Sequence, residues 1–182
     1  MAKRELQQLL EREDHVGLSG MAGRGLWKVL RYLIGRLYAG DEEKWRAVRA
    51  LGALCSDPQL VSEETASEMM RRFLWALNDE SGAVPYGIPE AMGEIMVQRS
   101  ELQKTYLPIL CSMLTAEEML QTGPVERGLL WAVGRVGPPV VSVAPDAVLE
   151  IEKMAKGHAD DETRRLAVWA LAQMGSPPGG PG

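Results

Sequence analysis

The side chains with the greatest capacity for chemistry gather around one irregular stretch. Four carboxylates, Asp79, Glu80, Glu90 and Glu94, flank or enter a segment punctuated by Gly82, Pro85, Gly87 and Pro89, and two guanidinium groups and an indole, Arg71, Arg72 and Trp75, come just before it. Pro85 and Pro89 keep a helix from running through the segment, so the next helix is predicted to start near Ile88 with Pro89 in its first turn. Glu90 and Glu94 then stand one turn apart, with Asp79 and Glu80 on the connecting loop. Such acids suit a basic partner or a hard cation; they serve equally well as complements to a helix start, where free N–H groups and the dipole favour negative charge. Arg71, Arg72, Trp75, Asp79, Glu80, Glu90 and Glu94 together are the expected protein-binding residues, because mixed charge beside an aromatic side chain favours a hot spot.

Other reactive residue types stand apart from one another. Cys55 and Cys111 have no metal-ligand spacing and each follows a leucine in an apolar stretch, so buried free thiols are expected. The two histidines, His15 and His158, fall in a glycine-rich stretch and beside a turn, too few for a multi-histidine metal site in one subunit. There is no phosphate-binding Gly-x-x-x-x-Gly-Lys, nucleophile elbow, Cys-x-x-Cys or His-Glu-x-x-His. No catalytic residue, cofactor or metal is therefore expected, and the chain is not read as an enzyme.

The elements that must position these residues are helical. Of 182 residues, 46% are apolar, 25% charged and 5% aromatic, with a single Phe, a balance that favours helix and excludes a disordered chain. The net charge of -5 opposes a sequence-independent grip on a phosphate backbone, so no nucleic acid is expected as partner. No apolar run reaches the ~20 residues of a membrane span, and Met1-Ala2-Lys3-Arg4-Glu5 opens a polar amphipathic stretch unlike a signal peptide, so a cytoplasmic protein without membrane contact is expected.

A repeat organises the helices. Ala50-Leu51-Gly52-Ala53-Leu54 recurs as Ala91-Met92-Gly93-Glu94-Ile95, as Ala132-Val133-Gly134-Arg135-Val136 and as Ala170-Leu171-Ala172-Gln173-Met174. The small third residue returns after 41, 41 and 38 positions, the period of a two-helix unit. Glycine inside a helix costs about 1 kcal/mol relative to alanine, so its recurrence predicts close approach of a neighbouring helix. The flanking apolar residues form the buried stripe of each first helix. Second helices are predicted over roughly 63–77, 101–114 and 145–156, with Asp41, Thr115 and Asp160 as N-caps and a capping box at Thr115-Ala116-Glu117-Glu118. Trp131 and Trp169 occupy equivalent positions and are expected to pack between layers. Towards the N-terminus, residues 3–13 read as a polar amphipathic helix, His15–Gly25 with its four glycines as a flexible loop, and Leu26–Tyr38 as the second helix of a divergent opening unit. Residues 176–182, rich in Pro and Gly, read as a flexible tail.

The charged lead-ins and compact cores, Arg46-Ala-Val-Arg49-Ala-Leu-Gly-Ala-Leu and Arg164-Arg-Leu-Ala-Val-Trp-Ala-Leu-Ala, resemble HEAT repeats, especially the HEAT-like subtype of phycobilisome lyases. The resemblance covers residues 41–175. It implies an all-α fold, a short right-handed superhelix of about four helix pairs, with 1–175 a single repeat domain in which 1–40 is the divergent unit. It also implies a scaffold or binding module: a non-catalytic protein–protein interaction protein whose groove, lined by second helices, receives a partner segment. The alternative is an enzyme or accessory subunit, lyase-like and acting on a cofactor or covalent group. HEAT-repeat di-iron hydroxylases use His-Glu dipeptides, which this chain lacks. HEAT-like DNA glycosylases combine a basic cleft with aromatic residues; Trp75, Trp131 and Trp169 with Arg71, Arg72, Arg127, Arg164 and Arg165 match in type, but the acidic balance does not. Homodimerisation through an exposed apolar face of the last repeat is compatible with the sequence.

Overall fold

In a computed structural model, residues 2–79, 86–116 and 123–175 are described; all regular structure among them is helical. The order is α1 (Ala2–Glu11), α2 (His15–Arg36), α3 (Asp41–Cys55), α4 (Glu63–Leu77), α5 (Ile88–Gln98), a 3-10 turn (Ser100–Leu102), α6 (Gln103–Thr115), α7 (Gly123–Val136), α8 (Pro139–Val143), α9 (Pro145–Gly157) and α10 (Asp161–Gln173). None of these helices is long and apolar enough to cross a membrane. The contacts divide the chain into two compact units, Met1–Arg99 and Ser100–Gly182.

In the first unit α3 is central: α1, α2 and α5 all pack on it, and α4 packs on α5. The repeat positions explain why. Ala47, Val48, Ala50, Leu51 and Leu54 are all buried to within 1% of complete, a helical stripe in which each large side chain contributes about 1.5–3 kcal/mol by leaving water. A Cβ added to Gly52 would stand 2.5 Å from Glu94 Cγ on α5, so the close approach predicted for this glycine is present. Ser62 caps α4 by accepting from Thr65 N–H at 3.2 Å. Arg99, which the sequence reading did not single out, is buried and donates to the carbonyls of Cys55 (3.3 Å) and Val61 (2.7 Å). It thereby satisfies an acceptor at the end of α3 that a helix leaves without a partner.

In the second unit α7 packs on α6 and α10, and α9 packs on α6 and α10. Here a Cβ on Gly134 would meet the Trp169 ring at 2.5 Å and the Ala170 Cα at 3.0 Å, again on the following first helix. Trp131 and Trp169 stack with centroids 6.4 Å apart and planes 13° from parallel, joining α7 to α10. Asp160 caps α10, accepting from Thr163 N–H at 2.9 Å.

Several local expectations are corrected. His15–Gly25 is helical, because Asp14 caps Gly17 N–H at 2.8 Å and Leu18 and Ala22, one turn apart, are buried; only Gly25 departs from helical angles, kinking α2. Thr115 is the last residue of α6, its hydroxyl donating to Ser112 O at 2.8 Å, and not an N-cap; Glu117 and Glu118 of the expected capping box lie outside the described residues. Asp41 falls in the first turn of α3, with Gly40 at the cap. The short α8 was not expected. The tail expected over 176–182 lies outside the described residues.

Candidate functional site

The expected site residues separate into two environments. Arg71, Arg72 and Trp75 ride on the outward face of α4, opposite the buried Ala66, Met69, Met70 and Phe73. Their placement follows from helical period: the apolar residues recur every three or four positions and turn the intervening ones to solvent. Both guanidinium groups bind Glu68, Arg71 at 2.7 Å and Arg72 at 2.9 Å, and these bonds hold the Glu68 carboxyl below its ordinary value. Arg72 also lies over the Trp27 ring of α2, 4.8 Å from its centroid. Trp75 is 81% exposed, an apolar ring left in water beside two fixed positive groups. Asp79 is exposed just past the Asn78 cap, where Asn78 Nδ2 donates to Leu74 O at 2.7 Å. Glu80 lies outside the described residues.

Glu90 and Glu94 do not join that surface. They are 5% and 9% exposed, within nine consecutive buried residues from Ile88 to Met96. A helix buried all round has no solvent face on which to display them. Gly87, in the left-handed region at φ 73°, turns the chain into α5, and Pro89 sits in the first turn as the sequence predicted. A side chain at Gly87 would also collide with Leu37 O, 2.7 Å from the added Cβ. This entry carries Glu90 onto α3, where Oε1 accepts from Lys44 Nζ at 3.4 Å while Oε2 is buried without a hydrogen-bond partner. Burial pushes the Glu90 carboxyl above its ordinary value, opposed by the Lys44 charge. Lys44 also sits over the Trp45 ring at 4.8 Å. Glu94 lies against Gly52 and accepts from Gln98 Nε2 at 3.2 Å. The surface reading of these two acids is therefore corrected: they belong to the packing between α3 and α5. The signal available was the absence of any Lys or Arg from 88 to 98, which leaves that helix short of a solvated face.

A second polar cluster, unread in the sequence, joins α7 to the turn before α10. His158 Nδ1 accepts from Asp160 N–H at 3.0 Å, so the ring proton resides on Nε2 and is donated to the buried Glu126 at 2.9 Å. Arg127 reaches Asp160 at 3.4 Å and Glu162 at 3.6 Å. Every polar atom of His158 is engaged in tying elements together. Glu126 and His158 are 32 positions apart and no spacing rule connects them.

Both cysteines are buried and free, and burial pushes each thiol up to about 12. Cys111 lines a shallow hollow with Pro108, Ser112, Thr115 and Pro145, yet a thiol so raised supplies little thiolate at neutral pH. Among the described residues no group of three or more His, Cys, Asp or Glu side chains is arranged to hold a metal. No family model matches the chain, and no curated protein matches it either.

Proposed function

We propose that the protein is a HEAT-like repeat module, a short solenoid of helix pairs, that acts without catalysis by binding another protein. Supporting the repeat reading, Gly52 and Gly134 each admit the first helix of the next pair. The observation that carries the function is the 81% exposure of Trp75 on a helix whose opposite face is fully packed. A large indole in water beside two guanidinium groups has the composition of an anchor awaiting a counterpart. The partner this surface fits is a polypeptide segment carrying an apolar side chain for the indole and carboxylates for Arg71 and Arg72. The net charge of -5 speaks for a protein partner over a nucleic acid.

The test is a photo-crosslinking amino acid at position 75 in cells, with an exposed position on α9, Leu149, as control. A discrete protein adduct from position 75, absent from position 149 and weakened by Arg71→Ala with Arg72→Ala, is expected. Equal or no adduct from the two positions, with helicity unchanged, overturns the reading.

A further inference from the structure

The chain's excess of acid is spread unevenly, and α2 receives none of it. From His15 to Gly40 there is no Asp or Glu, although the whole sequence holds 25 of them against 20 Lys and Arg. Three cations in that stretch, Arg24, Lys28 and Arg31, follow one another at four and three residues and are all exposed. They share the outer face of the helix, opposite the buried Val29, Leu30 and Leu33. Arg24 and Lys28 stay together across the kink at Gly25, lining one shallow hollow with it. Glu5 of α1 lines the same hollow, yet none of the three cations has an ion pair among the described residues. Every other cation on α2, α3 and α4 has one: Arg36 with Glu43, Lys44 with Glu90, Arg46 with Glu42, Arg49 with Glu13, and Arg71 and Arg72 with Glu68.

This face continues into the one on α4. Arg72, one turn before the exposed Trp75, lies over the Trp27 ring, and Arg31, one turn after Trp27, donates from Nε to its carbonyl at 3.1 Å. Trp75, Arg72, Trp27 and Arg31 thus form a row that leads from one helix to the other.

We propose that Arg24, Lys28 and Arg31 on α2 bind a run of carboxylates in the same polypeptide segment whose apolar side chain meets Trp75. This rests on the α4 reading for its apolar end and deepens it, giving the partner an acidic run on α2 and an apolar residue on α4. Charge complementarity names the occupant: unpaired cations on a helix without acids call for an acidic counterpart. Seven residues of helix separate Arg24 from Arg31, about 10 Å, which about three residues of an extended chain cover. A membrane surface matches less well. Gly20, Gly23 and Gly35, exposed beside the cations, have no side chain to insert into lipid, and Glu64 and Glu68 share the outward stripe of Trp75, where they oppose anionic headgroups. A nucleic acid meets the same two acids.

The probe is a fluorescein-labelled run of glutamates with a leucine at each end, titrated with the full chain at low ionic strength and followed by anisotropy. Binding is expected, lost when glutamines replace the glutamates and weakened by added salt. Arg24→Gln, Lys28→Gln and Arg31→Gln together are expected to weaken it about tenfold with helicity unchanged, and Arg24→Glu, Lys28→Glu and Arg31→Glu to abolish it. Lys104→Gln, Lys156→Gln and Arg165→Gln, at three exposed cations of the second unit, are expected to leave it unchanged. No binding of the glutamate probe, or equal losses from the two sets, overturns the proposal. So does tighter binding of phosphatidylserine vesicles or of a single-stranded oligonucleotide that the α2 substitutions abolish, since the occupant is then a lipid surface or a nucleic acid. Trp75→Ala separates the two readings. If it leaves the affinity intact while the α2 set lowers it, the anchor on α4 fails and the acidic run stands; in the reverse case only the acidic run fails.

Discussion

The contact of α3 with α5 and that of α7 with α10 are built on the same repeated glycine and filled in opposite ways. At Gly52 the space a side chain would take holds the stem of Glu94, and beside it lies an ion pair whose members are only 14% and 6% exposed, Lys44 and Glu90. At Gly134 the space holds the edge of an indole, with Trp131 stacked on Trp169, and the ion pairs of Arg127 sit at a rim where Asp160 and Glu162 are 46% and 75% exposed. The repeat thus specifies how near two helices come and leaves open what fills the seam. A seam filled by carboxylates depends on its cation; one filled by rings depends on shape.

That difference is broken most forcefully by removing each cation. Lys44→Met leaves the Glu90 carboxylate buried without its cation, and loss of one partner of a buried pair costs about 3–5 kcal/mol. Because Glu90 is already raised towards its neutral form, the lower end, about 3 kcal/mol, is expected in urea unfolding followed by circular dichroism. Lys44→Met with Glu90→Met should recover most of it. Arg127→Met is expected to leave stability nearly unchanged, since its partners keep their water. Equal losses for the two single variants would erase the distinction between the seams.

A smaller effect probes shape. In Gly134→Ala the new Cβ meets the backbone of Ala170 at 3.0 Å as well as the Trp169 ring, and α10 must shift. Overpacking of this kind costs about 1–3 kcal/mol, reduced by the roughly 1 kcal/mol that alanine contributes to a helix. In Gly52→Ala the obstacle is the Glu94 side chain, which can rotate, so the loss should be distinctly smaller. The ratio of the two urea midpoint shifts is the measurement; a larger shift for Gly52→Ala would show that the indole seam is the more yielding one.

The helical period and the small-residue register of this architecture are legible in the sequence because they are local. Val48, Leu51 and Leu54 declare a buried stripe by spacing alone, and Pro89 declares where α5 begins. The partners across the seams are not legible, since Lys44 and Glu90 lie 46 positions apart and Glu126 and His158 meet only through the turn before α10. Glycine-counting also misled: four glycines between His15 and Gly25 read as a loop, yet burial of Leu18 and Ala22 and the Asp14 cap outweigh the cost of glycine in a helix. Of the expected site, Arg71, Arg72 and Trp75, chosen for mixed charge beside an aromatic side chain, lie on the exposed face of α4. Glu90 and Glu94 were misplaced because a carboxylate at a helix start looks the same in sequence whether it faces water or a lysine.

The seams should also respond oppositely to acid. Glu90 binds its proton more tightly folded than unfolded, so above the ordinary value of 4.5 the folded state holds more protons than the unfolded one, and stability falls as pH rises through the window up to its raised value. One such group changes stability by at most about 1.4 kcal/mol per pH unit. Asp160 is the reverse case: hydrogen bonds from the Thr163 hydroxyl and N–H lower its carboxyl below 3.8, so its contribution is present above that value and lost as pH falls through the lowered one. Glu90→Gln should therefore flatten the fall in stability between pH 4.5 and the raised value, and Asp160→Asn should flatten the loss below 3.8, each without altering the other limb. Urea midpoints taken across that range in the three proteins measure both. If Glu90→Gln leaves the upper limb unchanged, the carboxylate is not held in the buried seam, and the contrast between the two contacts loses its electrostatic half.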